Sequence, residues 1–347
     1  MPIQNGSPTI TVPAAGADAL VPGKGPAAAR PAKPLSLDKL MILLAFVALF
    51  AVFSITANNF FTARNVLTLA LQTSTITIMG IGVTFTIITG GIDLSIGSIV
   101  ALSGTLAVMA ANAGMPIWLS MVLGLLSGVG CGLLNGLVIT GMKLPPFIAT
   151  LGMMMVARGV VLTITNAMSK PAPDAFGHLG NDTLFHYGRQ FPGIAYPVFI
   201  MVVVALVLGF FLRKTRMGRY TYAIGSNEEA ARLSGIKVAR VKVVSYMICG
   251  FCAALTGIIL ASRMVTSQPN GGVSYELNAI ASSVIGGTSL MGGIGTVGGA
   301  VIGSFIIGVL GVGLTMQGAS YFVQQIVIGL VVIFSVAIDQ IRYKKKK

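Results

Sequence analysis

The sequence predicts an all-α polytopic membrane protein of about ten transmembrane helices with broken or re-entrant glycine-rich segments, and three observations carry that reading. Only 9% of the 347 residues are charged, against about 25% in a typical soluble domain. Hydrophobic residues make up 54% and the mean hydropathy is +0.88, which is more apolar surface than one soluble core can bury. Glycine supplies 44 residues, nearly twice the usual ~7%, and lets helix backbones approach closely.

The elements follow in order. Residues 1–36 hold seven of the fifteen prolines and are predicted to be a disordered cytoplasmic tail, because such a composition buries no core. The apolar run after Lys39 begins too far along the chain, and is too long, for a signal peptide; it is the first span. A spanning helix needs about 20 apolar residues for a ~30 Å hydrocarbon core. Ten runs qualify: 40–57, 65–89, 94–112, 116–139, 146–166, 195–212, 243–263, 277–292, 296–315 and 321–338. The eighth is short and interrupted by Gly286-Gly287. The transmembrane domain covers 37–343, with a cytoplasmic loop at 213–242, and 344–347 form a basic cytoplasmic tail.

The net charge of +14 would suit a nucleic-acid binder, but its placement excludes that class: no basic face interleaves with aromatics. With the N-terminus inside, the segments 1–39, 140–145, 213–242 and 339–347 carry 18 of the 23 basic residues. This positive-inside bias places both termini in the cytoplasm. Cys249 and Cys252 have redox-motif spacing, yet on a membrane helix they are two small residues of one face. His178 and His186 stand alone in a polar loop, and neither a metal site nor a cofactor is predicted. Gly124, Gly128, Gly132 and Gly136 recur every fourth residue of the fourth span, and Gly299 and Gly303 repeat the idea in the ninth. Such stripes report close packing, either within the chain or across a homodimer seam.

Two places carry functional signals. In the first, Gly90-Gly91-Ile92-Asp93-Leu94-Ser95, a double glycine ends one apolar run and a carboxylate opens the next. Asp93 serves as N-cap of the third span, accepting from the amide of Ser95 or Ile96, or belongs to a broken helix lining a pathway; the two are compatible. The pattern GGxxLxxG returns 196 residues later at Gly286–Gly293, either as a related break or by chance in a glycine-rich chain. In the second place, the loop 213–242, Ser226 and Glu229 have capping-box spacing, Glu228 and Arg232 form an i, i+4 pair, and Gly235 suits a left-handed helix stop. These signals predict a helix over 227–234 on the cytoplasmic face, a docking element in preference to a solvated linker helix.

At these places the sequence resembles the permease subunit of ribose-type ABC sugar importers. GGIDLSIGSIVALSG (90–104), PPFIATLGMMMVARG (145–159), TRMGRYTYAIGSNEEAARLSGIKVARVK (215–242) and YELNAIASSVIGGTSLMGG (275–293) match that family in its order. The resemblance runs from about Leu35 to the C-terminus. It implies a homodimer in the lipid bilayer, a cytoplasmic ATPase subunit and a periplasmic sugar-binding protein. It assigns ATPase coupling to Asn227, Glu228, Glu229, Ala230, Arg232 and Gly235. It assigns the translocation pathway to Asp93, Ser95, Asn135, Glu276, Asn278, Thr288 and Ser289. It also implies ATP-driven transport of a monosaccharide, ribose or a similar sugar. The chain has no GxxxxGK[ST] of its own, so nucleotide belongs to another polypeptide, and a polyol path suits hydroxyls and amides.

An ion-coupled secondary transporter or channel for a small polar solute is the alternative, but such carriers place ionisable groups near the midplane. Here only Arg158 is deep. An embedded enzyme would need a convergent His, Asp or Cys constellation, so no catalytic residue is predicted.

Overall fold

The computed structural model describes residues 37–185 and 193–344, with side chains described for 40–185 and 193–337. The predicted tail 1–36, His186, Arg189 and the last three lysines lie outside the described residues. Nine of the ten predicted spans are helices of 17–27 residues: α1 (Leu37–Thr56), α2 (Ala63–Ile88), α3 (Ile96–Asn112), α4 (Ile117–Gly141), α5 (Pro146–Thr165), α7 (Tyr196–Lys214), α10 (Val238–Met264), α12 (Val297–Met316) and α13 (Tyr321–Lys344). Six of them are long and apolar enough to cross a membrane by length and composition alone. Between these lie α6 (His178–Asn181), α8 (Arg216–Ser226), α9 (Glu228–Leu233) and α11 (Tyr275–Ile285). Two short antiparallel pairs complete the described fold: β1 (Lys170–Pro171) with β4 (Thr266–Ser267), and β2 (Thr183–Leu184) with β3 (Ile194–Ala195).

The eighth predicted span, 277–292, is corrected by the structure. α11 has 11 residues, so it rises about 16 Å and covers half a hydrocarbon core. It stops at Gly286 because Gly287 (φ 85°) takes a left-handed conformation, which glycine adopts without steric cost. Residues 286–296 then continue without regular helix.

Helix starts follow ordinary capping chemistry. Thr62, Thr215 and Thr296 each accept from the amide three residues on, Asn65, Gly218 and Gly299, and so satisfy an end amide of α2, α8 and α12. Pro146 and Pro197 occupy first-turn positions of α5 and α7, where no donor is lost.

The glycine stripe of α4 packs within the chain. Cβ atoms added at Gly128, Gly132 and Gly136 would run into Gly250 O and Ala254, Tyr246 O, and Val243, all on α10. Gly124 faces Ser103 O of α3, and Gly299 and Gly303 face Gly286 O and Ser282 O around α11. The opposite face of α4 exposes Leu126, Leu134 and Leu137, as a lipid-facing surface does. Cys249 and Cys252 are buried and free and lie against Gly82 of α2: small packing residues of one face.

A valine at Gly132 has no space, and such overpacking costs about 1–3 kcal/mol. Alanine at Gly130, which has no neighbour within 4 Å, instead gains helix propensity. Thermal unfolding in detergent is expected to show Gly132→Val markedly destabilised and Gly130→Ala as stable as the parent or more so.

Candidate functional site

The first glycine break is a buried polar cluster. α2 closes with Gly90 N donating to Ile87 O (2.9 Å) and Gly91 N to Thr86 O (3.0 Å), and Gly90 has φ 79°. Asp93 and Ser95 are fully buried. Asp93 Oδ1 accepts from Ser95 N at 2.9 Å and from Ser95 Oγ at 2.6 Å. The Ser95 hydroxyl in turn accepts from Asn135 Nδ2 of α4 at 2.9 Å. Sequence reading places Asp93 at the N-cap of the third span. The structure puts Ser95 at the residue before α3, without a side-chain cap bond. Asp93 closes a local turn one step earlier, because Ser95 already has helical backbone angles.

Thr150 of α5, which the sequence reading missed, completes the break. Its hydroxyl accepts from Leu94 N (3.2 Å) and lies 3.2 Å from Ile92 O and 2.9 Å from Pro146 O. Tyr246 of α10 was also missed; its hydroxyl is buried and a Cβ at Gly91 would collide with it. Among the described residues, Asp93 Oδ2, Asn135 Oδ1 and Tyr246 Oη have no hydrogen-bond partner. Nothing in the local sequence marks Thr150 or Tyr246, since both sit in ordinary apolar helices.

The second break is held by its own turns and by the first. Ser289 N donates to Ile294 O (3.0 Å) and Gly292 N to Ser289 O (3.0 Å). Gly293 N donates to Ile88 O, the end of α2, at 2.9 Å. Thr288 and Ser289 are buried, and the Thr288 hydroxyl has no partner among the described residues. The two GGxxLxxG segments therefore meet. Glu276 and Asn278 do not join them: they lie in the first turns of α11, half-buried. There a Cβ at Gly97, near the start of α3, would meet Glu276 Oε2 and Gly272 O. Arg158 secures that junction by donating to Pro269 O (2.6 Å) and Gly271 O (2.9 Å), with Gly97 O at 3.5 Å. The half-length α11 thus begins beside the start of the longer α3 around one guanidinium, an arrangement of discontinuous helices.

The loop 213–242 contains two helices where the sequence predicts one over 227–234. The cap of α9 is Asn227, in extended backbone, whose Oδ1 accepts from Ala230 N at 2.9 Å. Ser226, the predicted cap, is instead the last residue of α8 and bonds back to Tyr222 O at 3.0 Å. Gly235 has φ 80° and ends α9 as predicted. Glu228 pairs with Arg232 (3.1 Å) and also with Lys242 of α10 (2.7 Å), so it fastens α9 to the next span. Glu229, Ala230, Arg232 and Gly235 are exposed, and Leu233 is 82% exposed at the tip. α8 joins this element to both breaks: Tyr222 Oη donates to Gly295 O at 2.7 Å. A Cβ at Gly225 would overlap Ile88 O and Gly293 N.

Partial burial opposes the charge of Glu228, but Lys242 and Arg232 outweigh it and hold its carboxyl below the usual glutamate value. A carboxylate with a depressed folded pKa stabilises the fold above its unfolded value, about 4.3, and loses that contribution as pH falls through the folded value. Amide protection of α9 is therefore expected to be flat above about pH 5 and to fall below about pH 4. Glu228→Gln removes this acid dependence. At the first break, Asp93→Ala strands both Ser95 donors, at about 1–3 kcal/mol. Asp93→Asn keeps an acceptor, so melting curves should show a clearly smaller loss for it than for the alanine variant.

Residues 65–336 match the family described as branched-chain amino acid transport system / permease component. Among curated relatives, the ribose import permease protein RbsC of Bacillus subtilis (strain 168) is 44% identical over 306 residues, 88% of this chain and 93% of that one. RbsC of Escherichia coli (strain K12) is 41% identical over 300 residues, 86% and 92% of the two chains. The D-allose transport system permease protein AlsC of the same strain is 36% identical over 301 residues, 86% and 90%. The chain belongs to this family of transport-system permease components, a multi-pass membrane protein that is a transport subunit and not an enzyme.

Proposed function

We propose that the chain is the membrane-spanning permease subunit of an ATP-driven ABC importer that moves a monosaccharide, ribose or a similar sugar, across the bacterial inner membrane. The observation that carries the reading is the α8–α9 element: an exposed, capped helix pair, bonded through Tyr222 and packed through Gly225 onto both glycine breaks. A push on α9 is delivered where the spans are irregular. Relatives of 36–44% identity whose names specify ribose or D-allose transport support the sugar class.

In this reading a cytoplasmic ATPase subunit docks on Glu229, Ala230, Arg232, Leu233 and Gly235, while Asn227 and Glu228 shape and anchor the docking helix. A periplasmic sugar-binding protein delivers sugar at the opposite face, and a second copy of the chain completes the transporter. The excess of Lys and Arg in 213–242 and at both ends supports a cytoplasmic position for these segments and both termini. Asp93, Ser95, Asn135, Glu276, Asn278, Thr288 and Ser289 take part in the route opened when the spans rearrange. The unpartnered Asp93 Oδ2, Asn135 Oδ1 and Thr288 Oγ1 are hydrogen-bonding capacity available to a passing hydroxylated solute.

The test is co-purification from the native membrane in mild detergent, followed by uptake in proteoliposomes. A near-stoichiometric ATPase and ATP-dependent sugar uptake are expected. Leu233→Glu, on an exposed tip, should lower the recovered ATPase at least tenfold while the melting temperature stays within a degree or two. A chain that purifies alone and still transports after ATP depletion contradicts the reading in favour of a carrier or channel.

A further inference from the structure

A second polar site lies away from the breaks. Between the middle of α3, the last turns of α10 and β4 there is a small cleft, partly open to the outside. Apolar walls come from Val100, Ala101 and Leu260, and Thr105, Ser267 and Gln268 contribute polar groups. Thr105 and Ser267 are buried at 0% and 1% exposure, and neither hydroxyl has a hydrogen-bond partner among the described residues. Among the described residues they share this with the hydroxyls of Thr73, Tyr246 and Thr288. Helical hydroxyls here ordinarily bond the carbonyl four residues back, as Ser103 does to Ile99 O at 2.8 Å and Thr165 to Val161 O at 2.7 Å. Thr105 forgoes that bond, and Ser267, on β4, has no helical carbonyl to bond.

The chemistry of the lining selects the ligand class. No charged side chain lines the cavity. The nearby Arg158 guanidinium is engaged by Pro269 O and Gly271 O, which fixes the loop that forms one wall. A hydroxyl both donates and accepts, so two buried hydroxyls in an otherwise mostly apolar lining suit a neutral solute with hydroxyls on one side and C–H groups on the other. Tyr275 stands in the lining, half-buried, where an aromatic face can cover such a ring. Position agrees: α10 starts at Val238 beside α9, and the cavity begins at Gly257, roughly 30 Å along the helix. With α9 at the ATPase, the cavity belongs to the half of the membrane from which sugar arrives.

We propose that this cavity is a sugar subsite within the single chain, in which a small neutral polyol bonds Thr105 Oγ1 and Ser267 Oγ before reaching the glycine breaks. The proposal rests on the importer reading for its direction of travel, not for its binding chemistry. Gln268 is exposed at the mouth, and the native cysteines are buried. A Gln268→Cys chain in nanodiscs can therefore be labelled with a maleimide in the presence of D-ribose, L-arabinose or D-allose. At least one of these sugars is expected to slow labelling threefold or more. Adding Thr105→Val and Ser267→Ala should abolish that protection without lowering the melting temperature, since each removes a hydroxyl that bonds nothing in the empty chain.

Protection by none of the three sugars, as for a cavity holding water only, overturns the proposal, and so does protection that survives the double substitution. ATP-dependent uptake, measured in parallel with the ATPase and binding protein present, separates the two claims. Uptake without protection sinks the subsite alone. Protection without ATP-dependent uptake sinks the importer reading and leaves the subsite standing.

Discussion

The structure depends on one constraint: backbone amides and carbonyls inside hydrocarbon must find partners within the protein, because lipid offers none. Regular helices meet it automatically. The chain leaves regular helix inside its apolar body at 90–95 and again at 286–296, and each freed group there needs a specific solution. Leu94 N goes to the Thr150 hydroxyl, Ser95 N to Asp93 Oδ1, Ser289 N to Ile294 O and Gly293 N to Ile88 O. The buried carboxylate and hydroxyls that mark these segments are thus, first of all, the means by which a non-helical backbone is tolerated at depth.

The glycine content serves the same constraint. Side chains at Gly128, Gly132, Gly250 or Gly286 would force helices apart where backbones now touch, and would open the breaks to lipid. Close packing also removes slack. With no side chain at Gly225 to deform, α8 lies directly on the end of α2 and on the second break. A displacement of the exposed α9 tip is therefore passed to two irregular segments rather than absorbed. This is the physical content of coupling in the proposed transporter: a rigid lever whose far end rests on the parts of the membrane domain most able to rearrange.

Much of this was legible in the sequence because its signals are local. Hydropathy located nine spans, and the double glycines at 90–91 and 286–287 located both breaks. Gly235 and the Glu228–Arg232 spacing located α9. The eighth span was misread because an apolar run continues through Gly286 to Leu290, and hydropathy does not register where a helix stops. Ser226 was misread as a cap because Ser and Asn are both good caps, and only the preceding helix α8 decides between them. Thr150, Tyr246 and Arg158 act across 56 to 155 residues of sequence, and an isolated polar residue in an apolar helix does not announce its partner. The same holds for Thr105 and Ser267, which share a cavity only because α3 packs on α10.

The most direct test of the account is hydrogen exchange at single-residue resolution on the chain in nanodiscs. If both breaks are bonded within the protein, the amides of Leu94, Ser95 and Gly293 exchange as slowly as those in the middle of α2 and α10. If those three exchange at the rate of a solvated loop while the neighbouring helices stay protected, the breaks are open to water, and the constraint on which the account rests does not govern this fold.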